Sequence, residues 1–152
     1  MKGLDLLLGE HPFFASFEPA HLAIIQGCAR LRRFETGQYV FREGESADEF
    51  FVVRHGRIAL EIGAPGRQPV VFETPGAGEV VGASWIIPPY RWMFDARAME
   101  PTGVIGINAA CLREKCEHDH DLGYLMMKCF LPILAERLHA TRLQILDVYG
   151  RR

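Results

Sequence analysis

Apolar and polar positions divide the chain into three stretches. In the first 28 residues the apolar positions come in short groups broken by Pro12 and Pro19, which predicts short helical pieces. Ser16 is placed to cap a segment from Pro19 to Gly27, with Leu22, Ile24 and Ile25 as its apolar face. From Ala29 to Asn108 the period shortens. β-type runs recur at Arg30–Phe34, Gln38–Phe41, Glu49–Arg54, Arg57–Ile62, Pro69–Glu73, Met93–Met99 and Thr102–Ile107. Tyr39 and Phe41 should share one strand face, and Ile58, Leu60 and Ile62 another. Gly37, Gly44, Gly56, Gly63, Gly66, Gly76 and Gly78 stand at the joints. Many short strands between glycine turns predict a mainly β domain, a jelly roll or barrel.

The last stretch turns helical. A short helix is expected over Ala110–Cys116, and Asp119 should cap a long one that Gly150 ends. Pro132 lies inside that long helix and removes one hydrogen bond. Leu131, Leu134, Leu138, Thr141, Ile145 and Val148 are spaced 3, 4, 3, 4 and 3, the seam of a two-stranded coiled coil. Leu122, Met126, Cys129 and Ile133 form a second stripe suited to packing on the β-roll. Two stripes on one helix predict a homodimer. The whole chain, 1–152, reads as one domain: 1–28 helical, 29–108 a β-roll, 109–150 helical.

Composition narrows the function. Half the residues are hydrophobic (49%) and 24% are charged, as in a folded globular chain. Seventeen basic residues face 19 acidic ones, a net charge of −2, so the basic footprint of a nucleic-acid binder is absent. No apolar run approaches the roughly 18 residues of a membrane span. The start, MKGLDLLLGEH, has no long apolar region of a signal peptide, and a cytoplasmic location is expected. In that compartment Cys28, Cys111, Cys116 and Cys129, none in a CxxC pair, read as four free thiols. Cys111, Cys116, His118 and His120 are possible metal ligands, but their spacing does not suit a tetrahedral site, and no metal is expected. The one HxH motif precedes the terminal helix, where a cupin would carry it on a strand. No nucleophile elbow or P-loop is present, so no catalysis is expected.

The segment FREGESADEFFVVRHG, Phe41 to Gly56, carries a resemblance. It is similar to the glycine-framed strand pair of the cyclic-nucleotide-binding domain, with Phe41, Gly44, Ala47, Asp48, Phe51, Val53 and Gly56 at the motif positions. Asp48 should fold its carboxylate onto nearby backbone N–H groups. The resemblance runs from about Pro12 to Val148. The long last helix resembles the dimerisation helix of the catabolite-activator/fumarate-nitrate-regulator superfamily. It implies a jelly-roll (double-stranded β-helix) flanked by N-terminal helices and that dimerisation helix. With the chain ending at Arg152, no DNA-reading element is expected.

The resemblance also locates a phosphate cassette at GEVVGASW, Gly78 to Trp85. Cyclic-nucleotide-binding relatives follow the cassette's inner glycine with Glu, for the ribose hydroxyl, and close it with Arg, for the phosphate. Here Gly82 matches the glycine, Ala83 replaces the Glu, and Trp92 falls where the Arg would be. Arg91 is one position off, and Ser84 and Arg91 are candidate substitutes. Thr141 matches a position that touches the base across the dimer, followed here by Arg142. The resemblance therefore implies a ligand set of Gly82, Ala83, Ser84, Arg91, Trp92, Thr141 and Arg142. Three readings follow: a weakened cyclic-nucleotide site, a pocket for another small anionic ligand in a sensor or regulatory subunit, or a ligand-free interaction module filled by the aromatics of WIIPPYRWMF. In each the domain answers to an unidentified protein partner.

Overall fold

A computed structural model describes residues 3–63 and 65–150. The N-terminal stretch forms α1 (Leu4–Glu10), a 3-10 turn at Pro12–Phe14 and α2 (Pro19–Gln26). Pro19 opens α2 as expected, since proline needs no amide partner in the first turn. Ser16 is not its cap. Glu18 holds that position without a side-chain bond, and Ser16 instead meets the Cys129 thiol. Leu8, Phe14, Phe17 and Ile25 are buried and fix these pieces to the rest.

The β region has eight strands: β1 (Ala29–Phe34), β2 (Tyr39–Phe41), β3 (Glu49–His55), β4 (Ile58–Ile62), β5 (Val70–Glu73), β6 (Val80–Val81), β7 (Asp95–Ala98) and β8 (Thr102–Asn108). They form two antiparallel sheets in the orders β1-β8-β3-β6 and β2-β7-β4-β5, a jelly roll. Every expected run is present, with Met93–Met99 trimmed to Asp95–Ala98. The two-residue β6 lies inside the cassette. In β2 the expected shared face of Tyr39 and Phe41 is absent: Phe41 is buried and Tyr39 exposed, because the ladder with β7 slips between them, with Tyr39 opposite Arg97 and Phe41 opposite Ala96. In β4 four residues in a row are buried and Ile62 is exposed, because both faces of that strand are covered. The buried carboxylate this creates, Glu61, accepts a hydrogen bond from Arg97 Nε of β7 at 2.7 Å. β5 is an edge strand with Val70 and Val71 exposed.

α3 (Ala109–His118) is capped by the Asn108 side chain, which accepts from the Cys111 amide at 2.8 Å. Only Asp119 separates it from α4 (His120–Gly150), and its carboxylate caps α4 by accepting from Leu122 N at 3.1 Å, as expected. Thirty-one residues make α4 about 46 Å long. Leu122, Met126 and Phe130 are its buried positions, with Cys129 and Ile133 half-buried against the core. Phe130 contacts Phe50 edge-on at 5.2 Å and Trp85 at 5.6 Å. Burying such a ring contributes about 1.5–3 kcal/mol, so this cluster anchors the base of the helix. Farther along, Arg137 Nε pairs with Glu73 Oε2 at 2.8 Å and its Nη2 donates to Val80 O at 3.1 Å. Gln144 Nε2 reaches Phe72 O at 3.4 Å. One face of α4 therefore runs over β5 and β6. The other carries Leu131, Leu138, Ile145 and Val148, each at least half exposed in the single chain.

The cysteines depart from expectation. Cys28 and Cys111 form a disulfide, while Cys116 and Cys129 are free thiols. The bonded pair lies just beyond the paired ends of β1 and β8, where Ala29 faces Ile107 and Asn108 N donates to Cys28 O at 2.7 Å. Strand pairing brings the two sulfurs together across 83 residues of sequence.

Candidate ligand-binding site

The cassette begins at a tight turn: Gly76 N donates to Glu79 Oε2 at 2.6 Å, and β6 then pairs with β3 through Val81 opposite Phe51. Gly82 follows with φ +99°, a conformation that glycine adopts without strain. Ala83 is buried and leads into a 3-10 turn, Ser84–Ile86, in which Ser84 is half-buried and Trp85 fully buried. The chain then passes a cis peptide at Pro88–Pro89 and returns to the β2–β3 turn.

That return decides which side chain enters the roll. Gly44 N donates to Trp92 O at 2.8 Å, Trp92 N to Glu45 O at 3.0 Å, and Ala47 N to Tyr90 O at 2.7 Å. Ser46 and Arg91 form a bridge between these segments. In extended backbone, neighbours face opposite ways. Arg91 points outward, exposed, and its Nη1 donates to Gly44 O at 2.9 Å. Trp92 points inward and is buried. Its ring stacks on Phe41 with centroids 3.7 Å apart and planes 8° from parallel. On its other edge, a Cβ built on Gly82 would lie 2.6 Å from Trp92 Cη2 and 2.8 Å from Cζ3. The absence of a side chain at Gly82 is what admits the indole.

Of the candidate residues, Gly82, Ala83, Ser84 and Trp92 thus gather at one place, while Arg91 is engaged at the turn outside. Thr141 and Arg142 are on the exposed part of α4, and Thr141 Oγ1 donates back to Arg137 O at 2.8 Å. Asp48 does not take backbone amides as expected. Its carboxylate accepts from Ser46 Oγ at 2.9 Å, within the tight turn in which Asp48 N donates to Ser46 O at 3.0 Å. Among the described residues no three His, Cys, Asp or Glu side chains are grouped to hold a metal ion.

Sequence reasoning missed two arginines. Arg137 ties α4 to β5 and β6, and borders a cavity of about 500 Å³ with Pro12, Phe13, Glu73, Glu79 and Ile133. The available signal was its position four residues after Ile133 on the inner stripe. Arg113 Nη1 donates to Trp85 O at 2.6 Å and its guanidinium sits 4.2 Å from the Tyr90 ring centroid, holding the cassette's exit against α3.

The family model of the cyclic nucleotide-binding domain matches residues 31–119. The chain belongs to the cyclic nucleotide-binding domain family. A crystal structure of a candidate cyclic nucleotide-binding protein from Geobacter metallireducens GS-15 is 30% identical, covers 91% of this chain and 100% of its own, and superposes with a TM-score of 0.80. A cyclic nucleotide-binding domain from Methylobacillus flagellatus KT, 17% identical over 97% of this chain and 86% of its own, has the same fold with a TM-score of 0.82. A CRP-like cAMP-activated global transcriptional regulator of Mycobacterium tuberculosis is 21% identical over 145 residues, 95% of this chain. The chain spans 63% of that regulator's length. The jelly roll with its helical flanks is therefore that of the cyclic nucleotide-binding domains, whose members here include regulators and sensors. Among the described residues no helix is long and apolar enough to cross a membrane.

Proposed function

We propose that this chain is a non-catalytic regulatory domain that works as a homodimer through α4, and that its cyclic-nucleotide pocket is closed by its own aromatic side chains. The observation that carries this is the indole of Trp92, held between Phe41 and Gly82 where the family's arginine would stand. A cyclic phosphate there would lose its cation to Trp92, and the ribose hydroxyl would lose its carboxylate to Ala83. Each buried polar group left unpaired costs about 1–3 kcal/mol, so affinity falls by orders of magnitude. Arg91 cannot supply the missing charge without leaving Gly44 O. The signal is then carried by contacts of α4 with a partner protein in the cytoplasm, not by nucleotide occupancy. The net charge of −2 gives this chain no electrostatic grip on DNA.

The test is a thermal-shift titration with cyclic AMP and cyclic GMP at about 1 mM. The midpoint should stay within about 1 °C. A rise above about 5 °C, worth on the order of 1–2 kcal/mol for a domain of this size, means a Kd of roughly 100 µM or tighter. That result would overturn the closed pocket.

A further inference from the structure

The four cysteines fall into two chemical classes. Cys116 and Cys129 are half-buried thiols. Burial, with Asp119 and Glu117 nearby, pushes Cys116 up to about 11, and burial also raises Cys129. Both stay protonated and unreactive at neutral pH. Cys28 and Cys111 are already joined, and both border a groove of about 470 Å³ shared with Gly27, Arg30, Glu49 and Asn108. Cys28 is buried, whereas Cys111 is only half-buried, so an attacking thiolate reaches the Cys111 sulfur first. Cys111 is also the third residue of the ten-residue helix α3, where the helix dipole favours a thiolate.

The surroundings hold the pair in place without the bond. Asn108 N donates to Cys28 O, the Asn108 side chain caps the Cys111 amide, and Ala109 N donates to Asp48 O at 2.8 Å. Once reduced, the sulfurs remain neighbours and can close again. What the bond adds is a covalent clamp between the α2–β1 corner and the first turn of α3, the helix that passes through Asp119 alone into α4.

We propose that Cys28–Cys111 is a reversible redox site: a thiol–disulfide couple, exchanged with dithiol reductants, whose oxidised form clamps α3 to the roll. A dithiol's thiolate attacks the Cys111 sulfur, the S–S bond breaks, and Cys28 leaves as a thiolate and takes a proton. The reductant's second thiolate then attacks its own sulfur in the mixed disulfide and releases Cys111. Two electrons and two protons end on the cysteine pair, and the dithiol leaves as its cyclic disulfide. Oxidised glutathione reverses the exchange.

The test treats the folded wild-type chain with about 1 mM dithiothreitol, followed by alkylation, peptide mass mapping, circular dichroism and amide hydrogen exchange. Cys28 and Cys111 should both become alkylated with the β-type spectrum kept, and oxidised glutathione should restore the bond. Exchange of the amides of residues 111–118 should quicken about tenfold on reduction. Cys111→Ser should show that fast exchange with or without dithiothreitol. A pair that yields only in denaturant, cysteines already free in air-oxidised protein, or exchange in α3 equal in both forms would each overturn the proposal.

Discussion

Gly82→Ala probes the closed pocket most directly. At φ +99° a Cβ is strained by about 1–2 kcal/mol. The new methyl also meets Trp92 Cη2 and Cζ3 at 2.6 and 2.8 Å, with Phe50 Cβ at 3.7 Å behind it. The indole cannot swing clear, because its other face lies on Phe41. Overpacking of this kind adds about 1–3 kcal/mol. The variant should lose about 2–5 kcal/mol in urea unfolding, read as a lower midpoint at unchanged slope. Trp92→Leu removes the two clashing ring atoms. In that background Gly82→Ala should cost only the conformational part, about 1–2 kcal/mol, and the cost of Trp92→Leu itself cancels in the double-mutant cycle. A cycle that is additive within about 0.5 kcal/mol would refute the reasoning. The indole would then not occupy the space beside Gly82, and the closed pocket would lose its support.

Two further outcomes are expected. Leu138→Glu sets two carboxylates against each other at the centre of the α4 seam, so light scattering should give about half the wild-type mass with the β-type spectrum kept; a monomeric wild type, or a variant that stays dimeric, removes the dimer. His11 accepts from Phe13 N through Nδ1, so Nε2 carries the proton and donates to Val53 O at 2.9 Å. Burial lowers its pKa below 6.5, against the smaller opposing effect of the Val53 bond. Its contribution to stability is therefore full above pH 6.5 and falls as pH drops below that value toward the depressed folded pKa. His11→Gln keeps a donor and should flatten that part of the pH dependence in urea midpoints; identical profiles for the two proteins would exclude His11 as its source.

Strands and helices were legible where a period repeats. The β-runs stand between glycine turns, and the 3–4 spacing of α4 marks its inner stripe from Leu122 to Ile133, although Leu134, assigned to the outer stripe, also packs against the core and every position from Leu138 on is exposed in the single chain. β6 was not legible, since two valines carry no period. Hidden too was which of Arg91 and Trp92 faces inward. Counting along the cassette aligned Trp92 with the family's arginine, but the orientation is set by pairing with the Gly44–Ala47 turn, with Arg91 and Gly44 47 residues apart in sequence. The disulfide escaped for the same reason, because only the β1–β8 ladder brings Cys28 to Cys111. Arg137 was passed over since a charged residue on a helix ordinarily faces water. Its ion pair with Glu73 shows the inner stripe continuing as polar contacts where the apolar ones stop.

The edge strand β5 has a consequence for colloidal behaviour. Val70 and Val71 are exposed there, opposite Ile62 and Glu61, and a free β edge with valines is a template on which another chain can add a strand. The guard is α4 itself, with Gln144 on the Phe72 carbonyl and Arg137 on the Glu73 carboxylate. Any displacement of α4 that broke these two contacts would uncover this edge as well. If α4 carries the proposed regulatory contacts, its freedom to move is bounded by how much of β5 the molecule can leave bare without sticking to its neighbours.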